Sequence, residues 1–130
     1  MTLLFDTSVL IALEKRDKEI ITKLEELKKI HYMPANTTFV NYFEFYFGLL
    51  SKAVENRQPM IEFLNKFNCL KASAKTAEIL AELKYKYDKK GLALPLADLI
   101  IASHAIENNM LLVSRDKDFE KIDEVKKCIL

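Results

Sequence analysis

The sequence is poor in the residues that punctuate a chain: its 130 residues include two glycines, three prolines and two cysteines, and no tryptophan. Because loops and linkers are normally rich in glycine and proline, no stretch has the composition of a linker or a low-complexity segment. We therefore predict a single domain over residues 1–130. Cys69 and Cys128 lie far apart and match no zinc-ligand spacing, so we expect two reduced thiols.

A large net charge of either sign is also lacking. The 20 basic and 19 acidic residues leave a formal charge of +1, which excludes the strong basic field that draws many proteins to nucleic acid. No apolar run approaches the roughly 20 residues that cross a bilayer, and the first residues hold no basic cluster. We therefore expect no signal peptide, no membrane contact and a cytoplasmic location. Glycine-rich phosphate loops, GxSxG and HExxH motifs are absent too, so no other catalytic motif competes with the features below.

Short apolar runs alternate with helical patterns along the chain. The apolar runs predict strands at Leu3–Phe5, His31–Met33, Cys69–Lys71, Met110–Val113 and Val125–Leu130. Capping and periodicity predict helices after Asp6, over 17–30, from a cap at Asn36 or Thr37, over 60–68, from Ser73 to Gly91 and from Pro95 to Asn108, and a polar loop at 114–119. Strands that alternate with helices form a parallel sheet covered on both faces, so the predicted fold class is α/β, in three α/β/α layers with a central parallel sheet.

Four acidic residues interrupt or end apolar stretches of the sequence. They are Asp6, Glu44, Asp98 and Asp116. Each has an ordinary explanation when taken alone. Asp6 can cap a helix and Asp98 can favour the first turn of another, while the other two can face solvent. Carboxylates are almost never fully buried unless they are paired or bind a metal, so four such intrusions favour a shared cause.

Taken together, these acids favour a divalent-cation centre. Ligands of open parallel sheets bind beyond the carboxyl ends of the strands, and Asp6 and Asp116 each follow a predicted strand. Converging carboxylates repel one another, which raises their pKa values unless a cation neutralises them. Carboxylate oxygens are the natural ligands of Mg²⁺ or Mn²⁺, and such ions can activate water for attack on a phosphodiester. The pattern predicts Mg²⁺ (or Mn²⁺) as cofactor.

The predicted helix around Glu44 carries aromatic residues on nearly every side. Its sequence from Phe39 to Leu50 reads FVNYFEFYFGLL. A helix that is hydrophobic all round is normally buried. In a chain of this size, burial on all sides indicates that a partner subunit covers one face.

Four blocks of the chain resemble the PIN-domain family, and within it the VapC-like toxin ribonucleases of toxin–antitoxin pairs. The blocks are LFDTSVLI at 4–11, VNYFEFYFGL at 40–49, LPLADLIIASHA at 94–105 and LVSRDKDF at 112–119. Their order and spacing over nearly the whole chain carry the resemblance. It implies an endoribonuclease that depends on Mg²⁺ or Mn²⁺ and cleaves single-stranded RNA with water as nucleophile, leaving a 5′-phosphate and a 3′-hydroxyl. It also implies a homodimer and a VapB-like antitoxin that covers the site.

The resemblance further implies roles for individual residues. The metal-binding acids would be Asp6, Glu44, Asp98 and Asp116, all four also catalytic, with Asp118 as a further metal ligand. Thr7, Ser8 and Ser114 would orient the site through hydrogen bonds. Among basic residues we predict RNA contacts for Arg16, Arg115 and Lys117, which would form a rim around the acidic centre.

Two alternatives to a toxin ribonuclease stay open. A non-catalytic PIN-like scaffold would bind RNA or protein without cutting, and metal dependence of any activity separates it from an enzyme. An RNA-processing nuclease outside toxin–antitoxin systems would keep the chemistry and change its purpose. A signal-receiver domain is disfavoured, because it needs an acidic pair after the first strand, where Asp6 is followed by Thr7 and Ser8.

Overall fold

A single parallel sheet forms the centre of the molecule. The computed structural model describes residues 1–30 and 32–130, with residues 32–34 described by their backbone alone. Within that part of the chain the strands are β1 (Thr2–Phe5), β2 (Tyr32–Thr38), β3 (Asn68–Leu70), β4 (Leu111–Ser114) and β5 (Lys127–Ile129). Neighbouring strands are parallel throughout, in the order β3-β2-β1-β4-β5. The predicted parallel sheet is therefore confirmed.

Helices cover both faces of this sheet. They are α1 (Thr7–Glu14), α2 (Lys18–Lys28), α3 (Phe39–Leu49), α4 (Gln58–Leu64), α5 (Ala74–Lys89) and α6 (Leu96–Glu107), with short 3-10 helices at Val54–Asn56 and Lys117–Lys121. Successive strand residues point to opposite faces. Accordingly, Leu3 and Phe5 of β1 pack with α1, α2 and α4, whereas Leu4 packs with α5 and α6. Three layers result, and the predicted fold class is confirmed.

Local capping signals explain where several helices begin and end. The Asp6 side chain caps α1 by accepting from the Val9 amide. Ser73 and Thr76 form a reciprocal capping box at the start of α5. Gly91, with φ of +74°, follows the end of α5 in the left-handed conformation that glycine adopts at little cost. These boundaries were predictable because each depends on a few neighbouring residues.

The second strand is longer than predicted. The sequence predicts an end at Pro34, whereas β2 continues to Thr38; His31 lies outside the described residues. The pairing of β1 with β2 shifts register between Thr2 and Leu4. Such an irregularity lets a strand accommodate proline, which has no amide proton to donate.

The start of α3 also differs from the prediction. A cap at Asn36 or Thr37 is wrong, because both residues belong to β2 and the cap is Thr38. Asn36 donates from its side-chain amide to the Leu3 carbonyl (3.3 Å), and Thr37 donates from its hydroxyl to the Phe5 carbonyl (3.0 Å). Tertiary hydrogen bonds to β1 thus occupy the polar groups that looked available for capping.

After β4, a short helix replaces part of the predicted polar loop. Asp116 caps the 3-10 helix Lys117–Lys121, and Phe119 anchors it with 1% of its surface exposed. Both cysteines are unpaired and only partly buried. No helix among the described residues is both long and apolar enough to span a membrane.

Candidate metal centre

The predicted acids meet where the chain changes direction across the sheet. From β1 the chain proceeds to β2 on one side, while β4 pairs with β1 on the other. The carboxyl ends of β1 and β4 therefore border the crevice at which open α/β sheets bind ligands. Asp6 follows β1 directly and Asp116 lies two residues beyond β4, while the first turn of α6 brings Asp98 to the same edge.

Three carboxylates form the closest group. Asp98, Asp116 and Asp118 each offer an oxygen that lies within 4.8 Å of the other two. Asp116 accepts from the Asp118 amide (2.9 Å), so the cap of the 3-10 helix fixes how these two acids are presented. Asp118 also pairs with Lys121 at 3.3 Å. The separation and the all-oxygen donor set suit a shared hard cation such as Mg²⁺ or Mn²⁺.

The effect of the neighbouring acids is clearest in the pKa of Asp98. Burial, followed by repulsion from Asp116, Asp118, Asp6 and Glu44 in that order, raises the pKa of the Asp98 carboxyl to about 6. All five predicted acids are therefore close enough to interact. A bound cation would remove this repulsion, which is the electrostatic reason for a metal at this site.

Asp6 lies beside the closest group and is held by hydroxyl groups. Ser8 donates to one carboxylate oxygen and Ser114 to the other, both at 2.6 Å. Only 6% of Asp6 is exposed. Burial raises its pKa, the hydrogen bonds from Ser114, Ser8 and Val9 oppose that rise, and Asp116 adds to it. Ser8 and Ser114 are thus placed to orient Asp6.

The two serines also form hydrogen bonds with the loop that follows β4. Ser8 Oγ accepts from the Arg115 amide (3.0 Å), and Ser114 Oγ accepts from the Asp116 amide (2.9 Å). Through these bonds the loop after β4 is fixed against the start of α1. The position of Asp116 relative to Asp6 therefore depends on both serines.

Thr7 contacts Glu44, unlike the two serines, which contact Asp6. Its hydroxyl donates to Glu44 Oε1 (2.5 Å) and accepts from the Asn41 side-chain amide (3.0 Å). Asn41 is completely buried and was missed from the sequence. The available signal was a polar amide one helical turn before Glu44 in an otherwise aromatic segment.

The three residues predicted to contact RNA are exposed, and Arg115 and Lys117 lie on either side of Asp116 in the chain. Arg16 connects α1 to α2 with a φ of +57°, and Lys117 begins the 3-10 helix. The Arg115 guanidinium lies 3.8 Å from the Asp17 carboxylate and its side chain is 48% exposed. On the other side, Lys15 and Lys52 line a cavity of about 160 Å³ next to Glu44. Lys52 was not anticipated from the sequence.

An apolar surface lies next to the site. Phe39, Phe43, Phe47 and Leu50 of the α3 region are between 46% and 66% exposed. The Phe43 and Phe47 rings are in contact, with centroids 5.8 Å apart. We call these four residues the α3 aromatic face. In a single chain, this face is left open to solvent.

Comparisons with known proteins agree on one family. The family model described as PIN domain matches residues 3–125. The chain is 28% identical over 124 residues to Ribonuclease VapC2 of Rickettsia felis, covering 94% of this chain and 92% of that protein. Among solved structures, VapBC2 of Rickettsia felis bound to a DNA fragment from their promoter superposes with a TM-score of 0.86 and 26% identity, over 100% of this chain and 99% of that one. A toxin–antitoxin complex from Klebsiella pneumoniae superposes with a TM-score of 0.75 and 27% identity, over 95% of each chain.

Proposed function

Because this chain belongs to the PIN-domain family, we propose that it is a divalent-metal-dependent endoribonuclease that cleaves single-stranded RNA. We further propose that it is the toxin of a VapBC-type pair, since its relatives include a ribonuclease called VapC2 and toxin–antitoxin complexes. The observation that carries the proposal is the convergence of the Asp98, Asp116 and Asp118 carboxylates at the edge of the sheet where ligands bind.

The donor set supports Mg²⁺ or Mn²⁺ as the cofactor. Asp98 and Asp116 would hold the cation, with Asp118 or Asp6 completing the protein ligands and Glu44 facing a second ion. A divalent ion bound there supplies a nucleophile at neutral pH and offsets the negative charge that develops on the scissile phosphate. With water as the nucleophile, the products carry a 5′-phosphate and a 3′-hydroxyl.

The remaining residues would position the reacting groups. Ser8 and Ser114 hold Asp6 by hydrogen bonds to both of its oxygens. Arg115 follows β4 directly and Lys117 begins the 3-10 helix after it. Both would contact the RNA backbone on either side of the cleaved bond and draw it toward an acidic centre. Arg16 would extend this rim from the α1–α2 connection. The bases of single-stranded RNA are unpaired and accessible to such a site.

We also propose two protein partners. A second copy of the chain would cover the α3 aromatic face, because a contiguous apolar surface of this kind marks a protein interface. A VapB-like antitoxin would cover the acidic centre and suppress cleavage. Solving the complex and finding the acids fully accessible would rule out that mode of inhibition.

The decisive test is cleavage of a panel of labelled single-stranded RNAs with Mg²⁺ or Mn²⁺. We expect metal-dependent cutting by the wild type, inhibition by EDTA, and 5′-phosphate ends. Asp98→Asn should lose at least about a hundredfold in rate, because it removes a charged ligand of the cation. Asp88→Asn is the matched control, since Asp88 is a surface acid paired with Lys84 on α5.

Each alternative gives a distinct result in this assay. A folded wild type that binds RNA but leaves every substrate intact would favour the non-catalytic scaffold. Cutting that is unchanged in Asp98→Asn would show that the acidic centre is assigned wrongly. Specific trimming of a structured precursor RNA, with no toxicity on expression, would favour a processing nuclease over a toxin.

A further inference from the structure

A chain of hydrogen bonds leads from the protein interior to Glu44. The Thr38 hydroxyl donates to Asn41 Oδ1 (2.7 Å), the Asn41 amide Nδ2 donates to Thr7 Oγ1 (3.0 Å), and the Thr7 hydroxyl donates to Glu44 Oε1 (2.5 Å). Thr38 and Asn41 have no exposed surface, Thr7 is half-buried, and Glu44 is exposed. The chain therefore connects a rigid interior to a side chain at the surface.

The protons in this chain can run in one direction only. Thr38 Oγ1 accepts from the Asn41 backbone amide (3.2 Å) and donates its single proton to Asn41 Oδ1 (2.7 Å). The side-chain amide must then turn its Nδ2 toward Thr7. Because Thr7 Oγ1 accepts that proton, its own single proton is left for Glu44.

The reversed arrangement of the Asn41 amide is excluded by the same contacts. With Oδ1 toward Thr7, the Thr7 proton would point to Asn41 and away from Glu44. The Thr7 oxygen would then face a carboxylate oxygen 2.5 Å away with no hydrogen between them, which is repulsive. The orientation of Asn41 thus determines whether Thr7 can bind Glu44.

Glu44 depends on this contact for its position. Among the described residues, Thr7 is the one hydrogen-bond donor to its carboxylate, and no described cation forms an ion pair with it. An exposed glutamate with three side-chain torsions otherwise samples many rotamers. Thr7 also follows Asp6 directly, so the same segment fixes both acids at the edge of the site.

We propose that Asn41 is a positioning residue of the nuclease: acting through Thr7, it holds the Glu44 carboxylate toward the acidic centre before a cation or RNA binds. This role rests on the proposed function. Asn41 is completely buried, and among the described residues its side chain forms hydrogen bonds to Thr38 and Thr7 and to none of the acids. Its contribution is to preorganise one ligand, as buried second partners of metal ligands do.

Substitutions along the hydrogen-bond chain test the proposal. Thr7→Val removes the hydroxyl and keeps the shape, whereas Thr7→Ser retains the hydroxyl. Asn41→Ser can still pair with Thr38 but is too short to reach Thr7. We expect Thr7→Val and Asn41→Ser each to lower the cleavage rate at saturating RNA about 10- to 100-fold, and Thr7→Ser to restore most of it. Tyr42→Phe is the matched control, because it removes another α3 hydrogen bond, to Asn65, that reaches no acid.

Double variants separate positioning from a purely structural role. If Asn41 and Thr7 act through Glu44, their losses should disappear in a Glu44→Gln background, and Asn41→Ser should add nothing to Thr7→Val. Losses that persist undiminished in Glu44→Gln would overturn the proposal. Circular dichroism melting confirms that each variant folds; should Asn41→Ser not fold, Thr7→Val with Thr7→Ser still decides the outcome.

A readout independent of cleavage separates this proposal from the proposed function. In metal-free crystals of the wild type, the Glu44 carboxylate should occupy one position on Thr7. In Thr7→Val it should occupy several rotamers or turn away, while Asp6 and Asp98 stay in place. Finding Glu44 unmoved in Thr7→Val would overturn the relay. A wild type that cuts no RNA would defeat the enzyme assignment alone, because the crystals still decide the positioning.

Discussion

Among single residues, Asp98 bears much of the electrostatic cost of the site. Burial and four neighbouring acids raise its pKa from 3.8 to about 6. Between these two pH values the folded protein binds more protons at this position than the unfolded chain. The free energy of unfolding therefore falls as pH rises through this window. The penalty is absent below pH 3.8 and complete above pH 6.

We therefore predict that Asp98→Asn stabilises the metal-free protein at neutral pH. The gain should be about 1 to 2 kcal/mol at pH 7.5, after allowance for screening by solvent and salt, and should vanish near pH 4. Urea unfolding in EDTA at both pH values measures it. Mn²⁺ should raise the melting temperature of the wild type but not of Asp98→Asn. A variant less stable than the wild type at pH 7.5 would show that repulsion is not the dominant effect.

His104 is a second residue that lowers the stability of the folded protein, and it lies outside the metal centre. It is completely buried in α6, neither ring nitrogen has a hydrogen-bond partner among the described residues, and its ring meets Phe39 edge to face. Burial lowers the pKa of the imidazole, and Glu107 opposes this weakly. A base with a lowered pKa contributes stability that is present above its unfolded pKa, near 6.5, and is lost as pH falls below it.

Replacing His104 with leucine should accordingly make the free energy of unfolding less dependent on pH in the acid range. We expect His104→Leu to be about 1 kcal/mol more stable than the wild type at pH 7.5, because a buried ring without hydrogen bonds is removed. The difference in stability should widen between about pH 6.5 and about pH 5. In this range the wild-type imidazole is neutral in the folded protein and gains a proton on unfolding, which favours the unfolded state. Urea midpoints at these pH values test this. Parallel pH profiles would mean that His104 does not titrate with unfolding.

At the scale of elements, the sequence predicts what local residues decide. The cap and glycine stop of α5 and the cap of α1 follow from neighbouring side chains, and they were predicted correctly. The length of β2 was not, because pairing with β1 and β3 extends it past Pro34. The role of Asn41 was hidden for a similar reason: its partner Thr7 lies 34 residues away.

The acids show the same division between local pattern and tertiary geometry. The sequence pattern predicted that four acids would meet, and the family resemblance added Asp118; the effect of the other four on the pKa of Asp98 agrees with both. Asp118 was predicted only as a further metal ligand, whereas the structure puts it in the closest group with Asp98 and Asp116. That placement depends on the 3-10 helix after β4, which replaced a predicted loop.

The anchor of this 3-10 helix should therefore control metal binding. Phe119 is buried between the sheet and α6 and holds the segment that carries Asp118. Phe119→Leu should cost about 1 to 2 kcal/mol, less than truncation to alanine, and should weaken Mn²⁺ binding about tenfold by loosening that ligand. Calorimetric titration measures the affinity. Leu24→Val, buried in the opposite layer, is the control, and an equal loss there would show a general effect of destabilisation.

For the whole molecule, charge and apolar surface act in separate places. The formal charge of +1 is close to neutral, so attraction of RNA must come from local groups such as Arg115 and Lys117. That attraction weakens with salt. The α3 aromatic face carries no charge. Salt should therefore leave association through this face unchanged or strengthen it. The two kinds of binding can thus be separated by ionic strength.

The α3 aromatic face leads to the last prediction, a homodimer that survives high salt. Phe39, Phe43 and Phe47 recur every four residues and Leu50 follows three later, so they form one stripe about 16 Å long. Two copies related by a two-fold axis would bury the same stripe on each chain, and each buried Å² of apolar surface contributes about 25 cal/mol. Light scattering after size exclusion should give a dimer for the wild type in both about 0.1 M and about 1 M salt, because salt screens charged contacts and does not weaken apolar ones.

Replacing Phe43 and Phe47 together by serine should convert that dimer to a folded monomer, because both side chains are more than 60% exposed in the single chain and support no core. Tyr85→Ser is the matched control: Tyr85 is 64% exposed on α5, away from this face. If the wild type is monomeric at micromolar concentration, the face is not a self-association surface and the antitoxin becomes its most direct candidate for a partner. If Tyr85→Ser also dissociates the dimer, the interface lies on α5, and the exposed aromatics of α3 need another explanation.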